Sequence, residues 1–496
     1  MIKADLNWIA EVLGVSPKRP NDAQSIDGSA GVGSTQIGEI STDSRTISPG
    51  QVFLALKGPN FDGTKFVADV KDKGAIAVVV DRLVDVDIPQ FVVADTLKAL
   101  GALGKAVKAV VNPTIIAMTG SVGKTSVKEM CTAIMSQKGQ VLSTNGNFNN
   151  EIGVPLTLLR LEPQHEFAVI ELGANHIGEI DYTSSLTEPH VAILNNVAEA
   201  HLEGFGSLFG IVEAKGEIFN HLQEGGVAII NADAEQAHKE YWLGNLTKQF
   251  ERKSGRVMQF GLNQAFHGDV DTTYATDINL NDSGCAEFVL HAAPALFSEQ
   301  VEPKSINISL TVPGEHNVKN ALAAATACLQ IGASLDDVQR GLATMAKVKG
   351  RVNLQPVDDQ LLLIDDSYNA NVQSVKAAID LLSTYASKQI LVLGDMAELG
   401  EDAQKYHTEI GQYAKQKGIE SLYSFGVLSQ SASAEFKESG FHFSSKQALV
   451  SHLLEQLEQY RQAGQKATVL VKGSRSAKME LVIEQVFAER KRQEQE

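Results

Sequence analysis

The densest cluster of chemistry-bearing residues is Thr119-Gly120-Ser121-Val122-Gly123-Lys124-Thr125-Ser126. It follows an apolar run, Thr114–Met118, and leads into helical spacing through Val127, Met130 and Ile134. That order builds a phosphate cradle. Glycines let backbone N–H groups approach phosphate oxygens, and the helix start adds positive potential. The lysine reaches the β- and γ-phosphates, and the threonine hydroxyl can ligate Mg²⁺. The loop departs from the full GxxxxGK[ST] spacing, because Met118 holds the first glycine position and Gly120 comes two residues later. An incidental Gly-rich turn would have no reason to keep strand, Lys-Thr pair and helix in register, so a variant P-loop is expected.

Three more residues fit a site around bound phosphates. Glu171 ends the apolar run Phe167–Ile170; at the carboxyl end of a buried strand it is placed either to ligate a metal or to cap a helix. His201, in the loop after Val191–Leu194, reads equally as a surface histidine or a ligand. Lys215 falls in the apolar stripe of a helix expected over Ser207–Leu222, four residues after Ile211 and four before Phe219. A lysine on a buried face either snorkels its ammonium to water or becomes neutral, since burial disfavours the charged form. A neutral amine can capture CO₂ as a carbamate, an anion able to bind Mg²⁺.

The elements that must position these groups fall into three blocks. Residues 1–94 mix a short amphipathic helix near the start with strand-like runs at Val52–Leu56 and Ala75–Val80. The soft stretch Asn21–Gln36 carries Gly28, Gly31 and Gly33, but lacks the strand and helix of a dinucleotide loop and reads as a surface insertion. Residues 95–350 alternate short apolar runs (Thr114–Met118, Phe167–Ile170, Val191–Leu194, Val227–Ile230) with helix-length segments, the pattern of buried parallel strands. Between about 256 and 314 it turns to alternating, turn-rich segments, an added antiparallel patch, before an Ala-rich helix at Asn317–Gln330. Residues 351–496 repeat the parallel pattern at Leu361–Ile364, Ile390–Leu393, Leu422–Phe425 and Thr468–Val471. Three polar edges follow strands there: Asp365–Asn371, Gly394–Gly400 and Lys472–Arg475. The expected fold is α/β in three domains: a small α/β N-terminal domain, a central doubly wound P-loop sheet with an antiparallel addition, and a Rossmann-like C-terminal domain.

Composition limits the partners. The 43 Lys and Arg against 60 Asp and Glu leave a formal charge of −17, which argues against nucleic acid and anionic membranes. No run reaches the 18 apolar residues of a membrane span, and the start has no signal-peptide core. Three cysteines (Cys131, Cys285, Cys328), widely spaced and odd in number, argue against a disulfide framework or a Cys-based zinc site and fit a reducing compartment. A cytoplasmic monomer is expected.

Taken together, these segments resemble the Mur ligase family over nearly the whole chain. The carrying segments are Asp43–Arg45, the P-loop, Thr144–Pro155, Glu171–Ile180, Ala200–Ser207, Glu213–Phe219, Gly314–Ala324, Asp365–Asn371, Leu393–Gly400 and Val471–Arg475. The P-loop is shared with folylpolyglutamate synthases. Thr144–Pro155, Asp365–Asn371 and Leu393–Gly400 are closer to the branch that adds D-alanyl-D-alanine to UDP-N-acetylmuramoyl-tripeptide. The resemblance implies ATP and two Mg²⁺ ions. Gly120 to Ser126 would hold the phosphates, and Thr125, Glu171, His201 and a carbamylated Lys215 would ligate metal. Lys124, Lys215, His201 and Glu171 would serve catalysis. Asn317 would lie at the adenine, with Arg351 and Asp366 at the nucleotide. Asp43, Ser44 and Arg45 would face the UDP moiety, and Asn149, Asn150, Asn369 and Asn371 the rest of the substrate. Residues Asn21–Gln36 look longer than the family's usual N-terminal domain. A sibling ligase adding one amino acid would share the P-loop but not the Asp365–Asn371 and Leu393–Gly400 segments. A non-catalytic nucleotide switch would not need Lys215 in an apolar stripe.

Overall fold

A computed structural model describes residues 2–20, 34–58, 60–198, 202–266, 269–297, 304–346 and 349–493. Three sheets carry the fold. The first joins Ile40–Ser41, Val52–Leu54, Ala77–Val80 and Gln90–Val92, all parallel. Gly28, Gly31 and Gly33 lie outside the described residues. The amphipathic helix near the start is Leu6–Leu13; the Asp5 carboxylate accepts from Trp8 N and satisfies an otherwise orphaned donor.

The central sheet has nine strands. Its order runs Lys304–Pro313, Cys285–Ala292, Thr272–Leu280, Gly255–Gly261, Gly226–Asn231, Val191–Leu194, Thr114–Thr119, Phe167–Glu171, Val141–Ser143. Pairings from Val141–Ser143 through to Thr272–Leu280 are parallel, and only the last two are antiparallel. The antiparallel region is therefore narrower than the expected 256–314, since Gly255–Gly261 belongs to the parallel core. It also prolongs the same sheet rather than forming a separate patch. Alternation along Cys285–Ala292 and Lys304–Pro313 reflects an edge with one wet face, as antiparallel strands allow.

Helices cover both faces. Lys124–Met135 and His316–Gln330 bury Val127, Met130, Cys131, Ile134, Val318 and Leu322 against one face. Thr96–Val111 covers the other, and its Leu100, Leu103 and Val107 share one continuous apolar core with Leu54, Val79 and Phe91 of the first sheet. No helix among the described residues is long and apolar enough to cross a membrane.

The third sheet runs Asn353–Pro356, Leu361–Asp366, Ala467–Lys472, Lys388–Gly394, Ser421–Phe425, Gly440–Phe443, with only the first pairing antiparallel. The last long strand inserts between the second and third in sequence, so the connections reverse there. Reversal leaves a crevice at the strand ends, and Asp366 pairs in register with Lys472 at its lip.

Candidate nucleotide site

The strand Thr114–Thr119 lies between Phe167–Glu171 and Val191–Leu194, where the central sheet also changes winding direction. Its carboxyl end opens into Gly120–Gly123, and the helix begins at Lys124. Ser126 sits half-buried in the first turn of that helix. Gly123 has φ +80°, and a Cβ there would stand 2.5 Å from Asn320 Oδ1 and 2.7 Å from Asn195 Nδ2. Only glycine combines that left-handed backbone with such close neighbours.

A network of amides fixes the loop from behind. Val122 N donates to Asn196 Oδ1 at 2.9 Å, and Asn196 Nδ2 donates back to Val122 O at 2.9 Å. Asn195 Nδ2 donates to Val122 O and to Asn320 Oδ1; Asn320 Nδ2 donates to Asn317 Oδ1, and Asn317 Nδ2 to Pro313 O. The Ser121 hydroxyl donates to Ala198 O and accepts from Ala198 N. These bonds hold the loop against Asn195–Ala198 and, through Asn320 and Asn317, brace it against the flanking helix; the Ser121 and Val122 N–H groups point back to Asn196, so the loop's shape is fixed before any ligand arrives. Asn317 thus lies behind the loop on the flanking helix, 3% exposed.

The charged groups converge in front. Lys124 Nζ donates to Gly120 O at 2.7 Å. Part of its side chain is exposed, yet burial of the ammonium pulls its pKa down; Glu171 opposes that shift and Arg351 adds to it. Glu171, 3% exposed, accepts from the Thr125 hydroxyl at 3.1 Å and from Asn149 Nδ2 at 2.8 Å. Asn150 Oδ1 accepts from Gly153 N, the first residue of the next helix. Lys215 is 2% exposed. Burial drives its pKa well below the ordinary lysine value, and Lys124 pushes the same way. Among the described residues it forms no ion pair with a carboxylate; its ammonium lies 5.9 Å from the Phe205 ring centroid. The helix carrying it ends at Gly216 and passes into a tight turn, Glu217–Phe219, shorter than the expected span to Leu222. The stripe itself holds, with Ile211, Val212, Ile218, Phe219 and Leu222 buried. His201 lies outside the described residues.

The third sheet reaches into this crevice. Arg351 Nη2 is 3.4 Å from the Thr125 hydroxyl, and its guanidinium lies 4.3 Å from the Tyr368 ring centroid. Asp366 accepts from Lys472 Nζ and from Val352 N, which ties the segment after Arg351 to the sheet edge. Lys472 also donates to Asn369 O. The Asn369 and Asn371 side chains are engaged locally: Asn369 Oδ1 accepts from Ala370 N, and Asn371 Oδ1 caps a helix through Ser374 N.

The Asp43–Arg45 segment sits apart, on the first sheet. Arg45 pairs with Asp43 at 2.7 Å on the surface, holding that carboxyl down at about 2, and Lys73 Nζ donates to Ser44 O. Sequence reading did not pick out Asn195, Asn196 or Asn320, whose partners across this network lie 73 to 125 residues away. The one available signal was two asparagines at the carboxyl end of a buried run.

The implied Mg²⁺ can be tested against these donors. Glu171 and Thr125 offer hard oxygens side by side, and Mg²⁺ is commonly held by one or two carboxylates together with phosphate oxygens. No group of three or more His, Cys, Asp or Glu among the described residues could hold a metal by itself. The donor set therefore suits an ion completed by a nucleotide.

Comparison with known proteins covers the whole of this arrangement. Residues 36–138 match the Mur ligase family catalytic domain, 118–328 the Mur ligase middle domain, and 350–475 the Mur ligase glutamate ligase domain. The UDP-N-acetylmuramoyl-tripeptide–D-alanyl-D-alanine ligase of Escherichia coli (strain K12) is 46% identical over 90% of this chain and 92% of its own. A crystal structure of MurF from Acinetobacter baumannii superposes with a TM-score of 0.86 at 35% identity, covering 98% of this chain and 99% of that one. MurF from Thermotoga maritima in complex with ADP gives 0.76 at 26% identity, over 92% and 98%.

Proposed function

This chain belongs to the Mur ligase family, and from that premise we propose that it joins D-alanyl-D-alanine to UDP-N-acetylmuramoyl-tripeptide. The reaction consumes ATP and gives the pentapeptide precursor of peptidoglycan, ADP and phosphate. The observation that carries this reading is a P-loop braced from behind, with the buried Glu171 bonded to its Thr125 and a buried Lys215 near enough to Lys124 for the two charges to repel.

Amide formation from a carboxylate is uphill in water, so the acid must first gain a leaving group. A tripeptide carboxylate oxygen attacks the γ-phosphorus, ADP departs, and an acyl phosphate forms. The neutral amine of D-alanyl-D-alanine then attacks the acyl carbon, the amine proton is lost, and phosphate leaves from the tetrahedral intermediate. Lys124 and the N–H groups of the first turn of its helix offset charge on the transferring phosphoryl group, the main lever for such a step. Arg351 brings a further positive charge from the start of the third domain and with Asp366 borders the nucleotide, while Asn317 braces the phosphate loop from behind. The Arg351 contact with Thr125 ties the third domain to the loop, which keeps water from the acyl phosphate.

Thr125 and Glu171, with His201 and a carbamate at Lys215, would hold two Mg²⁺ ions, which supply positive charge against the phosphates. The Lys215 amine captures CO₂ with loss of one proton, and burial, which lowers its pKa, favours the neutral amine that this step requires. Asn149 positions Glu171 and borders the peptide substrate with Asn150, Asn369 and Asn371; Asp43, Ser44 and Arg45 meet the UDP group. The domains would divide at residues 1–94, 95–350 and 351–496. The work fits the cytoplasm and needs one chain only.

Phosphate release with ATP and UDP-N-acetylmuramoyl-tripeptide, measured against a panel of amines, tests the reading. D-Alanyl-D-alanine should stimulate it, and D-Glu, L-Ala and diaminopimelate should not. Equal stimulation by a single amino acid would point to a sibling ligase, and turnover without any amine to a switch.

A further inference from the structure

The loop Lys472–Arg475 is more firmly held than its position at the end of a central strand requires. A Cβ at Gly473 would meet Met479 Cγ at 2.6 Å and Gly394 Cα at 3.1 Å. Ser474 N donates to Asp395 O at 2.9 Å. The Asp395 carboxylate accepts from the backbone N–H groups of Val427, Leu428 and Ser429, at 2.9, 3.0 and 2.7 Å. Three strand-end loops are thereby locked around one aspartate. Arg475 projects from this frame, bonded to Glu480 at 2.9 Å with its side chain 58% exposed. A surface ion pair stabilises little and does not account for the frame.

Arg475 also lies near Arg351 of the nucleotide site. Its guanidinium carbon is 5.9 Å from the Tyr368 ring centroid, and that of Arg351 is 4.3 Å from the same centroid, so the two lie at most about 10 Å apart. Arg351 in turn touches Thr125 of the P-loop. Given the ligase reading above, on which this rests, the acceptor amine must arrive beside the γ-phosphate. At roughly 3.3–3.6 Å per extended residue, a dipeptide carries its carboxylate about 7 Å beyond its amine. A guanidinium has five N–H donors in a fixed fork, and Glu480 occupies one nitrogen.

The geometry points to Arg475 as the receptor for the C-terminal carboxylate of the acceptor dipeptide, held ready by Glu480 and the Asp395 frame. Tyr368 spaces it from Arg351, so the fork measures acceptor length from the reacting amine. This gives the enzyme a means of preferring a dipeptide to a single amino acid.

The experiment compares D-alanyl-D-alanine with D-alanyl-D-alaninamide, whose terminus is uncharged, in wild type and in R475Q and R475K. Wild type should favour the acid over the amide by about 10- to 100-fold in kcat/KM, the range of a charge-assisted hydrogen bond. In R475Q the KM for D-alanyl-D-alanine should rise by a similar factor while its KM for the amide stays put, so the preference collapses towards unity. R475K should retain part of it, and KM for ATP should stay unchanged in both variants. A wild type that treats acid and amide alike overturns the proposal, as does an R475Q enzyme that keeps the wild-type ratio. Failure of wild type to use D-alanyl-D-alanine at all would instead strike the ligase reading itself.

Discussion

The Asp43–Arg45 segment and the P-loop are both polar turns, yet they are built in opposite ways. Asp43 and Arg45 satisfy each other at the surface, and Arg45 keeps 86% of its side chain in solvent. The P-loop is bonded from behind by Asn195, Asn196 and Ala198, so its front is left for a ligand. A site that must stabilise developing charge gains from donors fixed in advance, because no reorganisation is needed during reaction. A site that only holds a substrate's far end can bind by exchanging one ion pair for another. Loss of a P-loop contact should therefore strike rate, and loss of a surface contact only affinity.

The sharpest break is K124A, which should lower kcat on the order of 10³-fold, the size associated with lost charge stabilisation in the transition state; single-turnover kinetics would read it. K215A should also inactivate, and bicarbonate should not restore it, whereas short-chain carboxylic acids that refill the site should. Wild-type rates in K215A would end the carbamate reading. Next comes G123A, where the added methyl meets Asn320 and Asn195 in a left-handed backbone. A loss of about 1–3 kcal/mol in denaturant midpoint experiments is expected, with weaker ADP binding.

Lys215 also provides a pH test with a definite sign. Its pKa in the fold lies well below the value of about 10.4 in an unfolded chain. Between those two values the unfolded chain binds a proton that the native state lacks, so stability rises with pH through the window. In CO₂-free buffer K215M should melt above wild type at pH 7, and the gap should narrow as pH approaches about 10. A gap independent of pH would contradict burial of a titrating amine. The smallest effect belongs to R45A: thermal midpoint near wild type, KM for the UDP substrate raised about tenfold.

Much of this contrast was legible in the residues. The strand, loop, Lys-Thr pair and helix of the P-loop are contiguous, so spacing alone exposes them, and Lys215 betrays itself by falling in an apolar stripe. What stayed hidden depends on distant partners. Asn320 matters because it meets Asn195 across 125 residues, and the Lys472–Asp366 pair exists because a late strand inserts beside an early one. The end of the Lys215 helix at Gly216 was missed for a related reason. Ile218 and Phe219 in a tight turn, and Leu222 just after it, keep an apolar rhythm that periodicity cannot tell from helix.

Oxygen transfer tests the central claim most directly. With the tripeptide carboxylate labelled with ¹⁸O, turnover with ATP and D-alanyl-D-alanine should place one labelled oxygen in each released phosphate, because the acid oxygen that attacked phosphorus leaves with it. Phosphate free of label, with amide product formed at the normal rate, would show that the acid is never phosphorylated.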